Sequence, residues 1–556
     1  MDNYKLRFVP LGGVIGVTKN MYLYELYLNE ELQDILIVDC GIGFPQDKAL
    51  GVDFVIPDIN YLLDKKDKIR GILLTHGHED HISALPYHYN ALGRPPMLTS
   101  NLTAHFIKNK FKEFSDVVDP QILSFDKVYK FGSFECNFIN MTHSIPDIVH
   151  IVIKTPVGNI YHGADYKLDL TPPYGDPPDF YKITKAGEEG VLVLLSDCLG
   201  SLREGLTLSE NVVGQTFEDE MRKTKGKFIM STFSSNISRI RQCVEAAVKF
   251  NRKLVFMGWS MKENTTIAQQ IGYLPIPEGF ILKEDEAMKT PPNKVCMIVA
   301  GSQGQYNSAL AKLAGGRHRM VKIKPGDKVV FSSDPIPGNE PGVYDIIEDL
   351  VLLGASVVYS EIQDNLHASG HGNQDDMKFL MRFVKPKYFI PIGGTVRHQR
   401  GYQQLAVDLG FKKENVFLLN EGETVIFEKQ KARLGSVIKT EAIYVDAYGV
   451  GDVGNSVLRD RKTLSEEGIV VVVITVDREG QVVHEPRLVT RGFVFEQGED
   501  ELFSKAQKVL DKAFKNHHEK LLHPDTLKRE LGGQLEQFFF EERGRRPLVI
   551  VDLIQV

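Results

Sequence analysis

The first two hundred residues alternate short apolar runs with turns rich in glycine, asparagine and aspartate. Six such runs occupy residues 4–13, 21–28, 34–43, 71–78, 148–165 and 191–197. Most of the spacings between them suit hairpins, and only some leave room for a helix. This rhythm predicts an α/β sandwich rather than a doubly wound sheet.

From Thr207 onward the hydrophobic period changes. Residues 209–223 and 238–250 have the period of amphipathic helices. They alternate with apolar, strand-like runs at residues 226–233, 253–258, 295–302, 327–333 and 356–360. Alternating strands and helices indicate βαβ units and a parallel sheet. Strand-rich sequence returns between Leu366 and Phe427, so the simplest architecture is one domain inserted into another.

The last hundred residues show a third pattern, after a glycine-rich connector at residues 447–456. The sequence predicts a strand at 469–476, a turn, a second strand at 481–485, two amphipathic helices and a final strand within 547–556. This order of elements predicts a small α+β domain.

Composition narrows the class of protein. The 556 residues, 42% hydrophobic and 25% charged, are typical of a globular protein with roughly three or four domains. The net charge of −7 excludes a wholly basic protein, although a local basic channel can still bind nucleic acid. The start lacks the features of a signal peptide, and no apolar run is long enough to span a membrane. The five cysteines lack metal-binding spacing. We therefore expect a cytoplasmic protein without a membrane span.

A dense group of metal-binding side chains follows the apolar run that ends at Leu74, in the stretch HGHEDH. His76, His78 and Asp80 alternate, so on an extended chain they share one face. His81 lies beside them where a helix begins. Imidazoles and carboxylates at this density suit zinc, and a purely structural role would leave their desolvation without compensation.

Two later residues extend this group. His143 and Asp165 each follow a strand-like run, and a sheet can bring the ends of such strands to one edge. Taken singly, His143 suits a structural role equally well. Asp165 suggests a carboxylate that bridges two cations only in the company of the other residues.

The order HGHEDH, THS and GAD resembles the metallo-β-lactamase superfamily. The closer context is similar to ribonuclease J of the β-CASP branch, over nearly the whole chain. The motifs that carry the resemblance include LGGVIGVTKN, VDCGIGFP, HGADYKLD, LLSD, TLSE, STFSSNISRI, AGSQGQ, PIPGNE, HASGHG, PIGGTVRHQR and GVGDVGNSVLRDR. The resemblance implies an αββα metallo-β-lactamase sandwich, an inserted β-CASP α/β domain and a small α+β C-terminal domain.

The resemblance also implies domain limits. The metallo-β-lactamase domain would comprise residues 1–206 and, as its return segment, 365–435. The β-CASP domain would comprise residues 207–364, followed after the return segment by a linker at 436–455. Residues 456–556 would form the C-terminal domain, which in this family supports dimer formation.

Metal and outer-sphere roles carry over residue by residue. The positions that match the family's metal ligands are His76, His78 and His143 for one zinc ion, Asp80 and His81 for a second, and Asp165 between them. Asp39 matches the acid that braces the histidine loop, and Glu210 matches the acid at the start of the β-CASP insertion. Without the resemblance, Asp39 suggests a turn former and Glu210 a helix-capping acid.

Phosphate contacts also follow from the resemblance. Ser369 and His371 match the family's phosphate-binding residues, and Ser235 and Asn236 fall where it binds a 5′-terminal phosphate. Hydroxyl, amide and imidazole groups beside glycine-rich backbone are suited to a phosphate. The residues expected to act directly in catalysis are Asp80, Asp165 and His371.

One position departs from the family pattern. Gly393 stands where the third β-CASP motif supplies a histidine to the second zinc. The second site would therefore bind metal more weakly, and Mn²⁺ or Mg²⁺ could occupy it instead. His398, five residues further on, could replace the missing ligand, or it could belong to the family's ordinary basic stretch.

The implied function is two-metal hydrolysis of RNA phosphodiester bonds. The resemblance implies a 5′-to-3′ exonuclease on 5′-monophosphorylated single-stranded RNA, with endonuclease activity, acting in RNA maturation and decay. It also implies a homodimer or homotetramer, or a heteromer with a paralogue. One alternative is a weakly active or inactive RNA-binding homologue that serves as the partner subunit of an active nuclease. Another is a glyoxalase-like thioesterase or a tRNA 3′-end processor, which the long insertion and HASGHG disfavour.

Overall fold

Two facing β-sheets organise the first part of the chain. The computed structural model describes residues 3–45, 49–336, 338–446, 449–451, 454–478, 482–493, 499–516 and 524–556. The chain divides into two units, one formed by Met1–Phe44 and Ile56–Ala442 and the other by Pro45–Val55 and Ile443–Val556.

The first segment is rich in strands, as its hydrophobic pattern predicts. Its elements in chain order are β1 (Tyr4–Gly12), β2 (Met21–Leu28), β3 (Glu31–Val38), β4 (Phe54–Ile56), β5 (Ile69–Leu73), α1 (Glu79–Ile82), α2 (Leu85–His88), β6 (Met97–Thr99), α3 (Asn101–Glu113), β7 (Gln121–Ile122), β8 (Tyr129–Phe131), β9 (Phe134–Asn140), β10 (Val149–Thr155), β11 (Gly158–Gly163), α4 (Phe180–Glu189) and β12 (Val193–Asp197).

The inserted segment alternates helices and strands. Its elements are α5 (Asn211–Lys223), β13 (Phe228–Ser231), α6 (Ile237–Lys249), β14 (Lys253–Met257), α7 (Trp259–Gln270), α8 (Glu284–Lys289), β15 (Val295–Val299), α9 (Ala309–Ala314), β16 (Lys328–Phe331), α10 (Glu340–Leu352) and β17 (Ser356–Val358). The strands form a five-stranded sheet in the order β14-β15-β13-β16-β17. Every neighbouring pair is parallel, which confirms the predicted βαβ pattern.

The return segment completes both sheets of the first segment. Its elements are α11 (Gln374–Val384), β18 (Tyr388–Ile392), α12 (Val396–Asp408), β19 (Val425–Glu428) and β20 (Lys431–Leu434). β18 pairs with β12 in parallel, and β19 pairs with β1 in the other sheet. The predicted insertion of one domain into another is therefore confirmed, whereas the exact domain limits stay predictions.

The sandwich core forms between an eight-stranded and a six-stranded sheet. Their orders are β20-β19-β1-β2-β3-β5-β6-β7 and β18-β12-β11-β10-β9-β8. Alternate side chains of each strand face the partner sheet, so Phe8, Tyr24 and Leu36 meet Phe138 and Ile151 in one buried cluster. The opposite face of the six-stranded sheet packs against α4, α11 and α12. The predicted αββα class is confirmed.

The second unit is the small α+β domain. Its elements are β21 (Ile443–Asp446), β22 (Gly449–Val450), α13 (Asn455–Glu467), β23 (Ile469–Val476), β24 (Arg487–Arg491), α14 (Glu499–Asn516), α15 (Pro524–Arg543) and β25 (Leu548–Gln555). β24, β23 and β25 form one sheet, and β22, β21 and β4 form another. The buried side of the first sheet packs against α14 and α15 through residues such as Val472, Leu510 and Leu535.

Two details of this unit differ from the prediction. The strand that pairs antiparallel with β23 is β24 at Arg487–Arg491, whereas Val482 of the predicted strand 481–485 makes an isolated bridge. α13 overlaps only the end of the predicted connector and otherwise lies in a stretch for which the sequence predicted no element, because its few apolar residues give a weak helical signal. Connector residues 447, 448, 452 and 453, and residue 481, lie outside the described residues. No described helix combines the length and hydrophobicity needed to cross a bilayer.

Candidate metal centre and nucleic-acid cavity

Residues far apart in the chain meet at one edge of the sandwich. They follow the ends of strands: Asp39 after β3, His76 after β5, Asp165 after β11, Asp197 at the end of β12 and Gly393 after β18. β3 and β5 are parallel, and so are β11, β12 and β18. Parallel strands bring their carboxyl ends to the same edge of a sheet, and polar side chains placed there converge.

Three histidines direct ring nitrogens toward one another. His76 Nε2 lies 3.0 Å from His78 Nδ1, and His143 Nε2 lies 3.2 Å from the same atom. Asp165 Oδ2 lies 3.9 Å from Nε2 of both His76 and His143. The possible ligand atoms of these four residues all lie within 4.8 Å of one another.

Hydrogen bonds fix the outer nitrogens of two of these rings. His143 Nδ1 donates to the carbonyl oxygen of Gly370 at 2.6 Å. His76 Nδ1 lies 3.0 Å from Thr75 Oγ1, which donates its own proton to Asp39 Oδ2. Both rings therefore turn an Nε2 lone pair into the cluster.

Lone pairs that converge in this way repel unless a proton or a cation lies between them. A tetrahedral zinc ion with bonds of about 2.0–2.1 Å holds its ligand nitrogens roughly 3.3 Å apart, close to the spacing seen here. The donor set of three imidazoles and one carboxylate therefore fits a divalent metal.

Burial keeps the three imidazoles neutral. It lowers the pKa of His78 to about 3 and the pKa of His76 and His143 well below 6.5, and the neighbouring rings add to the effect. Neutral imidazole is the form that binds a metal. At neutral pH these three side chains can therefore bind a metal ion without first losing a proton.

A second group shares Asp165. His81 Nε2 lies 3.3 Å from Asp165 Oδ2 and 3.6 Å from Asp80 Oδ2. Burial by itself lowers the pKa of His81, but the carboxylates of Asp80 and Asp165 outweigh it and raise that pKa well above 6.5. Asn20 Nδ2 lies 3.0 Å from His81 Nε2 and 3.3 Å from Asp80 Oδ2. Sequence reasoning missed Asn20, which ends the motif LGGVIGVTKN.

Asp39 holds the histidine loop from behind. Its Oδ1 accepts from the Thr75 amide at 2.8 Å, and its Oδ2 accepts from Thr75 Oγ1 at 2.8 Å. His81 Nδ1 donates to the same Oδ2 at 2.7 Å. Asp39 itself has a φ of 60°, a conformation that aspartate tolerates better than most residues. These contacts support the predicted bracing role.

A third group of possible metal ligands consists of Asp165, Asp197 and His371, and sequence reasoning missed Asp197. His371 Nδ1 donates to Asp197 Oδ2 at 2.7 Å, and the Leu199 amide donates to Asp197 Oδ1 at 2.8 Å. Burial lowers the pKa of His371, but Asp197 and Asp165 raise it to about 9. The available signal was the acid that ends the strand motif LLSD.

Gly393 lies beside the carboxylates of this edge. A Cβ atom at this position would be 3.3 Å from Asp197 Oδ1 and 3.5 Å from Asp165 Oδ1. The position of the missing ligand therefore faces the cluster. His398 does not fill it among the described residues, because it belongs to none of the three groups of converging ligand atoms, and its Nδ1 accepts from the Thr395 amide at 3.2 Å at the start of α12.

Glu210 lies in a buried ion-pair network. Arg239 Nη2 donates to both of its carboxylate oxygens at 2.7 Å, and Lys167 Nζ lies 3.3 Å from Oε1. Arg239 also donates to the carbonyl oxygens of Ser332 and Ala368 at 2.8 Å each. The network is connected to the candidate metal ligands through the backbone, on one side between Lys167 and Asp165 and on the other between Ala368 and Gly370. The outer-sphere role of Glu210 stays a prediction.

The predicted phosphate-binding residues and the candidate metal ligands, here called the metal cluster, line the same cavity. This cavity has a volume of about 1020 Å³, and Ser235, Asn236, Ser369 and His371 lie on its wall. Ser369 Oγ accepts from the His371 amide at 3.1 Å. Asn236 Oδ1 accepts from the Arg239 amide at 3.1 Å and so caps α6, which leaves its side-chain NH₂ group for a ligand.

The cavity wall also carries exposed cations. Arg203, Lys312 and Arg397 line it, and in the described part of the chain none of them has a carboxylate within 4.0 Å. The acids on the wall are Glu79, Asp80, Asp165 and Asp334. Unpaired cations beside a metal cluster favour a polyanionic ligand.

Family models match four stretches of the chain. Residues 16–135 match the metallo-β-lactamase superfamily, and residues 225–350 match the β-CASP domain of ribonuclease J. Residues 356–419 match a Zn-dependent metallo-hydrolase RNA specificity domain, and residues 456–556 match the ribonuclease J C-terminal domain.

Full-length relatives agree with these matches. Ribonuclease J 1 of Streptococcus pyogenes is 37% identical over 547 residues, which cover 97% of this chain and 96% of that protein. Ribonuclease J2 of Bacillus subtilis is 35% identical over 555 residues, 99% of each chain. A crystal structure of a protein of unknown function from Enterococcus faecalis covers 76% of this chain and 100% of its own, with a TM-score of 0.54 and 14% identity, which shows similarity of fold alone.

Proposed function

The chain belongs to the ribonuclease J family and is a metal-dependent ribonuclease, and from this premise we propose how its own residues bind and cut RNA. The proposed activity is 5′-to-3′ exonucleolytic cleavage of 5′-monophosphorylated single-stranded RNA, with endonucleolytic cleavage of threaded strands. The observation that carries the proposal is the meeting of three groups of metal-binding atoms, all sharing Asp165, on the wall of one cavity.

The proposed metal sites use two of these groups. His76, His78, His143 and Asp165 would hold one zinc ion. Asp80, His81 and Asp165 would hold a second, weaker one, because Gly393 supplies no ligand; Mn²⁺ or Mg²⁺ is the alternative there. When bound, such ions lower the pKa of water toward neutrality and neutralise charge that develops on phosphate.

His371 is proposed to act on the phosphate. Its Nδ1 proton is held by Asp197, and this carboxylate raises the pKa of the ring and favours its positively charged form. A cationic imidazole on the cavity wall can stabilise charge on the phosphate and on the departing oxygen. Asp197 orients the ring and Asp39 orients the ligand His81, so both act through their neighbours.

The phosphate cradle is proposed to select the 5′ end. Ser235 and Asn236 at the start of α6 and Ser369 beside His371 offer hydroxyl and amide groups to a terminal phosphate. A strand held there by its end would be cut one nucleotide at a time. The glycine at position 393 is the only support for the alternative, a weakly active or inactive RNA-binding partner subunit, and the rest of the ligand set disfavours it.

Assembly and location remain proposals. The α+β unit at residues 456–556, which matches the ribonuclease J C-terminal domain, is proposed to join chains into a homodimer or homotetramer, or into a heteromer with a paralogue. The proposed compartment is the cytoplasm.

Hydrolysis of 5′-monophosphorylated RNA with and without a chelator tests the function. We expect EDTA to abolish product formation and added Zn²⁺, Mn²⁺ or Mg²⁺ to restore it. His76→Ala should lower the rate by at least about 100-fold, since loss even of an outer-sphere partner costs about 10- to 100-fold. His105→Ala, a histidine on α3 away from the cluster, is the matched control and should cut at the parental rate. Turnover that EDTA leaves unchanged would refute the proposal.

A further inference from the structure

The chain has one tryptophan, and it lies on the wall of the substrate cavity. Trp259 lines the same cavity as His78 and Asp80, with 61% of its surface exposed. None of the ring–ring and cation–ring contacts among the described residues involves it. Tryptophan is usually packed against other side chains, whereas this one is mostly exposed and has no aromatic or cationic partner among the described residues.

The backbone beneath the indole is held firmly. Trp259 is the first residue of α7, directly after Gly258, which has a φ of 98°. A Cβ at Gly258 would lie 2.8 Å from the Cβ of Ala300, so only glycine lets the end of β14 approach β15 this closely. Met261 and Ala268 anchor α7 in the core. An aromatic ring fixed at its base loses little entropy when a ligand binds it.

Trp259 lies near the phosphate cradle. Ser235 and Asn236 follow β13, and Trp259 follows β14, which is separated from β13 by β15 alone. Two strand spacings are about 10 Å, a distance that a neighbouring nucleotide of a bound strand can reach. Lys312, an unpaired cation of the same wall, follows the end of β15 on α9.

We propose that Trp259 is a stacking platform for a nucleobase of single-stranded RNA, next to the nucleotide whose phosphate occupies the cradle. This inference rests on the proposed function and adds a binding residue to it. Stacking on an aromatic face accepts any base, so the contact strengthens binding of single strands without selecting a sequence. Paired bases in a duplex keep their faces covered by their neighbours and cannot use it.

An exposed tryptophan can also anchor a protein partner. The cavity position, the unpaired cations and the shared wall with the metal cluster favour RNA here. Contact of Trp259 with a second protein chain would overturn the proposal.

The fluorescence of the single tryptophan reads the contact directly. The full chain is titrated, in EDTA so that RNA is not cut, with a 5′-phosphorylated oligouridylate and with a duplex RNA of equal length. We expect quenching that saturates with the single strand and little change with the duplex. Absence of quenching at saturating single strand, or quenching that follows protein concentration without RNA, would overturn the proposal.

Variants give a second, independent readout. Trp259→Ala should weaken binding of the oligouridylate by roughly 5- to 140-fold, the range that removal of one base–aromatic stack produces. Trp259→Phe should retain most of the affinity. Tyr181→Ala removes an aromatic that is 72% exposed and does not line the cavity, and it should bind RNA as the parent does. Thermal unfolding of each variant checks that the fold is intact.

An abasic nucleotide locates the stacked base. Oligonucleotides with one abasic site, moved position by position from the 5′ end, should show one position where parental affinity falls and where Trp259→Ala adds no further loss. Fully additive losses at every position would overturn the proposal even if the parental protein cleaves RNA normally. Failure of the parental protein to cleave RNA at all would instead refute the proposed function.

Discussion

Gly393 places a bare α-carbon beside two buried carboxylates. Its ideal Cβ position lies 3.3 Å from Asp197 and 3.5 Å from Asp165, so a side chain there would start next to both. The three residues Asp80, His81 and Asp165 then form the second group without an imidazole from β18. Lower affinity at this group is the expected consequence.

Gly393→His should restore a ligand to the second site. We expect metal content to rise toward two ions per chain and the metal concentration for half-maximal cleavage to fall about 10-fold or more, because the ion acquires one more direct ligand. Elemental analysis and metal titration of cleavage measure the two effects. Gly393→Ala, which carries the same backbone strain at φ 67° but no ligand, is the control. Equal behaviour of the two variants would contradict the prediction.

For single residues, the sequence predicted the candidate metal ligands better than the side chains that hydrogen-bond to those ligands. His76 and His78 stand out because imidazoles are rare and these two lie in one dense run, whereas His143 gains its role only in the company of the other ligands. Asn20 and Asp197 do not stand out, because single amides and carboxylates occur in many turns. Their contacts with His81 and His371 depend on tertiary packing.

The strands and helices of the first unit explain why the site can be so polar. Each contributing strand ends at the same edge, and the polar residue lies at the end of the strand or within three residues after it. The apolar strand stays in the core while its end carries the chemistry. Helix α6 adds a buried cation, Arg239, which pairs with Glu210 at the start of α5.

Glu210→Gln should destabilise the first unit. The change leaves Arg239 and Lys167 buried with less negative charge, and breaking one partner of a buried ion pair costs about 3–5 kcal/mol. Urea unfolding of the variant should show a lower midpoint. Asp285→Asn is the control, because its pair with Lys289 on α8 is largely exposed and should contribute less than about 1 kcal/mol. Equal midpoints for the two variants would contradict the prediction.

Element prediction succeeded where the hydrophobic period was strong. The parallel sheet of the insertion and the strand Ile469–Val476 follow directly from their patterns. The prediction misplaced the neighbouring strand, which lies at Arg487–Arg491. Its apolar content is low, and its position is set by pairing with β23 rather than by its own sequence.

For the first unit as a whole, the cavity joins the metal cluster to a wall of unpaired cations. Arg203 and Arg397 come from the segments that leave and re-enter the metallo-β-lactamase domain, and Lys312 comes from the inserted domain. A strand of RNA would release counterions when these cations bind its phosphates.

Arg203→Gln should weaken RNA binding in a salt-dependent way. Log affinity falls with log salt, and each phosphate of a single strand that the protein no longer neutralises makes this slope shallower by about 0.7. The triple variant Arg203→Gln, Lys312→Gln and Arg397→Gln should therefore have a slope shallower by about 2. Binding of an oligonucleotide across a salt series measures the slope. Lys413→Gln changes an exposed lysine outside the cavity and should leave it unaltered. An unchanged slope in the triple variant would show that these cations do not bind the strand.

The sequence by itself determined the class of fold, the inserted architecture and the identity of the candidate ligands. Hydrophobic periods indicate local secondary structure. A dense run of imidazoles and carboxylates indicates metal binding even when the contacts of these residues are unknown. Only the tertiary structure decided which carboxylate pairs with His371, that Gly393 faces the cluster, and that the one tryptophan lies exposed on the cavity wall. These facts join residues hundreds of positions apart, and such proximity arises from the way strands assemble into sheets rather than from any neighbouring residues in the chain.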